Sequence, residues 1–134
     1  MKISLFIHSK IIYSTQINRK YTTKETKIHD RKRMKKIATK IVEFNLRKDG
    51  WKIVRSPVSG VGPTDIHAVR EDRLYVIHVN PVLHPEPVKR MKPDRRDMIR
   101  YLARKMKAVP YAADVVLNPD MTVKDLRYRY IRTN

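Results

Sequence analysis

Asp65 and His67 stand two residues apart in one β-prone stretch, and His78 and Asn80 stand two apart in the next. That spacing puts each pair on one face of a strand, and pairing the two strands would gather an Asp/His/His/Asn cluster. Such donors suit Zn²⁺ or Mn²⁺ better than Mg²⁺, which prefers carboxylate oxygens and water. The plainer reading of His67 and His78, and the preferred one, is as half-buried strand residues, each satisfied by a hydrogen bond. A second chemistry is carried by charge. Residues 87–107 hold Lys89, Arg90, Lys92, Arg95, Arg96, Arg100, Arg104, Lys105 and Lys107 against only Asp94 and Asp97. A face made merely for solubility would mix both signs, so this band points to phosphate.

The elements that position these residues are legible from periodicity. Met34, Ile37, Ala38, Ile41, Val42 and Phe44 recur at helical spacing, and Lys48-Asp49-Gly50 closes that helix with a glycine suited to a left-handed cap. Trp51 to Arg55 is a short strand ended by Ser56-Pro57 and a turn-rich run to Pro63. Asp65 to Val69 and Leu74 to Val79 form a hairpin around a charged turn at Arg70 to Arg73. Prolines 81, 85, 87 and 93 predict a loop over residues 81–93. Pro93-Asp94 opens a second helix to about Lys107, with Met98, Leu102 and Met106 as its packing side. Pro110 to Leu117 and Val123 to Ile131 read as two further strands. In the last, Arg127-Tyr128-Arg129-Tyr130 admits a base-stacking platform, but an edge strand with its tyrosines packed inward is favoured.

Composition sets the outer limits. The 134 residues make one compact domain plus an appended segment, and the net charge of +18 asks for a polyanion, nucleic acid first and an anionic membrane surface second. No stretch reaches the roughly 18 apolar residues of a spanning helix, and Ile3 to Ile7 is too short for a signal peptide, so an intracellular location is expected. Cysteine is absent, which excludes disulfides, thiol nucleophiles and thiolate metal sites. Gln16 is the sole glutamine, a mild thermophile-like bias. Residues 1–36 carry 11 Lys and Arg against 2 acids, half of the net charge in the first quarter of the chain. Residues 1–33 are therefore read as a basic N-terminal arm, with β-prone fragments at Ile3 to Ile7 and Ile11 to Ile17, that orders on a partner. Residues 34–134 form the domain.

Over about residues 31–118 the chain resembles the archaeal Holliday-junction resolvase family of the PD-(D/E)xK nuclease superfamily. The residues that carry the resemblance are Gly50-Trp51, then Ile53-Val54-Arg55-Ser56-Pro57-Val58-Ser59-Gly60, then Thr64-Asp65-Ile66-His67-Ala68. They match the family's Gly-aromatic, V-V-R-x-P-x-S-G and D-I-x-A runs in order and spacing. The resemblance implies a restriction-endonuclease-like αβββαβ core, an α/β fold with a mixed sheet flanked by helices. It also implies that cleavage would need an acid on the first helix, the aspartate opening the second strand, and a glutamate and lysine two apart on the third. Only Asp65 survives, as a vestige; the other family positions fall on Thr39, His78 and Asn80. An amide has no cationic charge to offer a phosphate or hydroxide. Glu43 lies one turn beyond Thr39 and could approach the site if the register shifts.

The expectation is a nucleic-acid-binding protein, DNA favoured over RNA, that uses charge and shape without cleavage, as a nucleoprotein or packaging component. Phosphate contacts are assigned to Arg33, Lys35, Lys36, Arg55, Ser59, Lys89, Arg90, Lys92, Arg95, Arg96, Arg100 and Arg104. No cofactor is expected, with Mg²⁺ or Mn²⁺ at Asp65 and His78 if the site is active. Two alternatives stand beside this: an active junction-resolving endonuclease with an altered metal site, and a ribosome-associated structural RNA-binding protein. The resemblance makes a homodimer the first guess and an archaeal source natural.

Overall fold

The computed structural model describes residues 24–55 and 65–132, with residues 24–29 and Asp65 described at the backbone only. The Ile3 to Ile17 fragments and the Ser56 to Gly62 loop, with Ser59, lie outside the described residues. The chain divides into two compact units, Met1–Lys32 and Arg33–Asn134. Helix α1 is Lys24–Lys48, followed by strands β1 (Lys52–Arg55), β2 (Asp65–Arg70) and β3 (Arg73–Leu83), helix α2 (Pro93–Lys105), and strands β4 (Val109–Leu117) and β5 (Val123–Tyr130). Helix α1 begins ten residues before Met34, the first residue of its apolar stripe. Lys24 to Arg31 hold no glycine or proline to stop a helix, and with Ile28 as their one aliphatic residue they carry no apolar stripe to announce it.

The buried line of α1 is Ala38, Val42 and Leu46, four residues apart. Phe44, placed in the stripe by sequence, is 72% exposed. Two residues turn a helix by about 200°, which carries Phe44 away from Val42. The helix ends in a Schellman motif: Trp51 N–H donates to Leu46 C=O at 2.9 Å and Gly50 N–H to Arg47 C=O at 3.1 Å. The motif requires the left-handed backbone that Gly50 adopts at φ 87°. It also drops Trp51 into the same core as Leu46.

The sheet order is β1-β2-β3-β4-β5, antiparallel except for the parallel β3–β4 pair, whose crossover is α2. The β2–β3 hairpin turns on Glu71 and Asp72 with φ of 51° and 60°, the left-handed pair that matches strand twist. Strand β3 runs four residues past the expected Val79, through Pro81 to Leu83, where a loop was predicted. Among the described residues, strand β2 pairs with β3 only as far as His78. Beyond it β3 has β4 as its one described neighbour, and a missing proline N–H is tolerated there.

Alternation along the strands separates two cores. Ile66, Ala68, Ile77, Val79, Ala113, Val115 and Leu117 pack with α1, while Val76, Ala112 and Ile131 pack with Ile99 and Ala103 of α2. The buried face of α2 is thus turned by one residue from the predicted Met98/Leu102/Met106 line, and Met98 is 50% exposed. Strand β5 is an edge strand. Tyr128 points inward, its hydroxyl donating to Asn45 Oδ1 of α1 at 2.6 Å, but Tyr130 is 61% exposed. Burial pushes the Tyr128 hydroxyl above the ordinary tyrosine range, and the negative charge of Asp49 and the neighbouring Tyr111 phenol add to it.

Candidate nucleic-acid interface

The hairpin does what the motif spacing required. Its register pairs Asp65 with His78 and His67 with Val76, while Arg55 of β1 pairs with His67 from the other side. Val76, His78 and Asn80 alternate onto the α2 face of the sheet. The small apolar patch beneath α2 therefore gives way, two residues on, to a polar row. His67 is buried, His78 is half-buried, and neither is without a partner.

The Asn80 amide is held. Its Nδ2 donates to Asp114 Oδ1 at 2.9 Å, across the parallel pair where the two residues are in register. Asp114 is buried, and Arg129 of β5 donates to it through Nε at 2.8 Å and Nη2 at 3.4 Å. A buried carboxylate needs such partners, and the row Asn80–Asp114–Arg129 supplies them from three adjacent strands. Sequence reasoning passed over Asp114 because it sits inside the apolar run Val109–Leu117. An aspartate in a strand otherwise built for burial is itself the signal that a cation crosses over to it.

On α1, Lys35, Thr39 and Glu43 follow at four-residue intervals along a flank of the buried stripe. The Thr39 hydroxyl donates back to the Lys35 carbonyl at 2.7 Å, an intrahelical bond. The Lys35 ammonium donates to the Val79 carbonyl, between His78 and Asn80. Lys35, expected among the phosphate contacts, is half-buried with its ammonium directed onto β3. Glu43 is buried with Arg47 Nη2 at 3.8 Å. Among the described residues, no three His, Asp or Glu side chains are grouped to hold a metal ion. A hard cation such as Mg²⁺ needs several oxygen donors. Thr39, His78 and Asn80 bring no carboxylate, and the Asn80 amide is committed to Asp114. The described donors do not fit Mg²⁺, and no hydrolytic step follows from them.

The cations sort into three facings. A cleft of about 190 Å³ is lined by His78, Asn80, Met91 and the four cations Lys89, Arg90, Lys92 and Arg95. Arg96 instead lines a groove with Arg90 and Arg129. Arg100 and Arg104 lie on another side of α2 with Tyr101 and Asp97, and Arg100 Nη1 is 3.4 Å from the Asp97 carboxylate. The band is therefore divided, and of its nine cations only the first four, Lys89, Arg90, Lys92 and Arg95, line the cleft. Arg33 and Lys36 are exposed on α1, and Arg55 is exposed at the end of β1.

No protein-family model and no curated protein matches the chain. Among solved structures, it is similar to Hjc, a Holliday junction resolvase from the archaeal hyperthermophile Archaeoglobus fulgidus. The TM-score is 0.52 and the identity 24%, over 69% of this chain and 72% of that one. The fold is resolvase-like. The expected helix, three strands, helix and strand, with a mixed sheet between the helices, is the arrangement found. An fdxN element excision controlling factor protein from Anabaena variabilis overlaps at TM-score 0.41 and 17% identity, over 67% of this chain and 97% of that one. That overlap is too loose to argue from. Among the described residues no helix is long and apolar enough to cross a membrane.

Proposed function

We propose that the protein binds nucleic acid, DNA in preference to RNA, on a nuclease-like fold and holds it without cutting. One observation carries this reading: the cleft that contains His78 and Asn80, where the family resemblance puts the cutting pair, is lined by Lys89, Arg90, Lys92 and Arg95. Four cations around an amide tied to Asp114 attract a phosphate backbone, while the described lining of the cleft brings no metal-binding carboxylate pair to the scissile bond. Affinity on this reading comes from phosphate contacts, so it falls steeply with salt and shows little sequence preference.

The test is purified full-length protein with labelled four-way junction DNA and either Mg²⁺ or Mn²⁺. Shifted complexes with intact strands are expected. Metal-dependent symmetric cuts that vanish in Asp65→Ala would overturn the non-cutting reading. Competition at fixed salt with structured RNA separates the nucleic acids, and a clear RNA preference would replace DNA with RNA. The homodimer suggested by the resemblance is read by sedimentation of the free protein.

A further inference from the structure

We infer that a second groove, at the C-terminal end of β5, is a phosphodiester-binding site that continues the cleft. The inference rests on the nucleic-acid reading and adds a site to it. The groove has a volume of about 600 Å³ and is lined by Arg90, Arg96, Arg129 and Arg132, with Met91, Tyr130 and Ile131 between them. Four guanidinium groups and no carboxylate among the lining residues define an anion site. Arginine's planar fork pairs with phosphate oxygens through two parallel hydrogen bonds, which a lysine cannot match.

Two features make this more than scattered surface charge. Arg90 and Met91 line both the cleft and the groove, so the two share a wall and one backbone can run from the first into the second. Arg129 is also already oriented. Asp114 fixes its Nε and Nη2 from within the sheet, yet the side chain remains 41% exposed. A guanidinium clamped on one edge loses little freedom when its other edge meets a phosphate. The Asn80–Asp114–Arg129 row thus links the two sites, with Asn80 lining the cleft and Arg129 the groove.

The proposal is tested with Arg96→Ala/Arg132→Ala, because both residues are exposed and neither belongs to the Asp114 row. Binding to a 30-base-pair duplex is measured across a salt series, with Lys89→Ala/Lys92→Ala as the cleft variant. Each lost phosphate contact lowers the log–log salt slope by about 0.9, so each double variant should lower it by about 1.8 and the quadruple variant by about 3.6. An unchanged slope and affinity in Arg96→Ala/Arg132→Ala, with the cleft variant weakened, would overturn the groove while leaving the function standing. Weakened binding of a mononucleotide with unchanged duplex binding would also overturn it, since the groove would then be an isolated anion pocket. Absence of duplex binding by the wild-type protein would remove the function and the groove together.

Discussion

Asp114→Ala is the perturbation that most directly tests the polar row on which the site depends. Asp114 is 8% exposed and accepts two short charge-assisted hydrogen bonds, 2.9 Å from Asn80 and 2.8 Å from Arg129. A hydrogen bond to a buried charged group contributes about 1.5–3 kcal/mol, and the lower end applies to Asn80, whose half-buried amide would be left short of an acceptor. The Arg129 bond is discounted to about 0.5–1 kcal/mol, because the guanidinium is 41% exposed and regains water when released. The expected loss is about 2 kcal/mol. With a urea m-value of about 2 kcal/mol/M, the unfolding midpoint should fall by about 1 M at constant m. Asp114→Asn keeps an acceptor for Asn80 and should lose about half as much. In a double-mutant cycle with Arg129→Ala, the two changes should couple by about 0.5–1 kcal/mol. A midpoint shift below about 0.3 M, or additive effects in the cycle, would refute the view that the row is a single unit.

Tyr128→Phe removes the hydroxyl from Asn45 and should cost about 1 kcal/mol in urea unfolding. It should also weaken the alkaline loss of stability. Burial raises the Tyr128 pKa in the fold, so its contribution is complete below the unfolded value near 10 and declines as pH rises beyond it. Tyr111, also raised by burial, keeps its share of that alkaline loss in the variant, and an identical pH profile for both proteins would contradict the assignment to Tyr128. Gly50→Ala should destabilise by about 1 kcal/mol through backbone strain alone, since a Cβ there meets nothing within 4 Å and φ is +87°; thermal unfolding checks this, and no loss would mean that the Schellman turn relaxes freely. Arg104→Ala, on the side of α2 away from the cleft, should leave the salt slope of duplex binding within about 0.3 of wild type, whereas a slope lower by about 0.9 would put that face on the nucleic acid as well.

The elements whose identity depends on local physics were legible in the sequence. The Gly50 stop, the charged hairpin turn and the β4 run each answer to a backbone preference or an alternation within a few residues. The misread boundaries have tertiary causes. Proline 81 argued for a loop, and only the register of the sheet, in which the described residues of β2 pair with β3 no further than His78, shows how a strand can pass through it. Phe44 and Met98 fit a helical period well enough by count, but which side of a helix is buried is fixed by where the sheet lies.

The same distinction governs the site. Asp65, His67, His78 and Asn80 could be placed on two paired strands because a period of two is a local property. The partner that holds Asn80 could not, because Asp114 and Arg129 come from strands 34 and 49 residues further along the chain, brought beside it by the α2 crossover. That partnership changes the meaning of Asn80. On the resemblance alone, an amide where the family carries a lysine would be only a missing charge. Hydrogen-bonded to a buried carboxylate that in turn orients a partly exposed arginine, it is part of a connection between β3 and the basic end of β5. The cations of the region lie around that held amide and along the neighbouring groove, which is the arrangement the proposed hold on a phosphate backbone calls for.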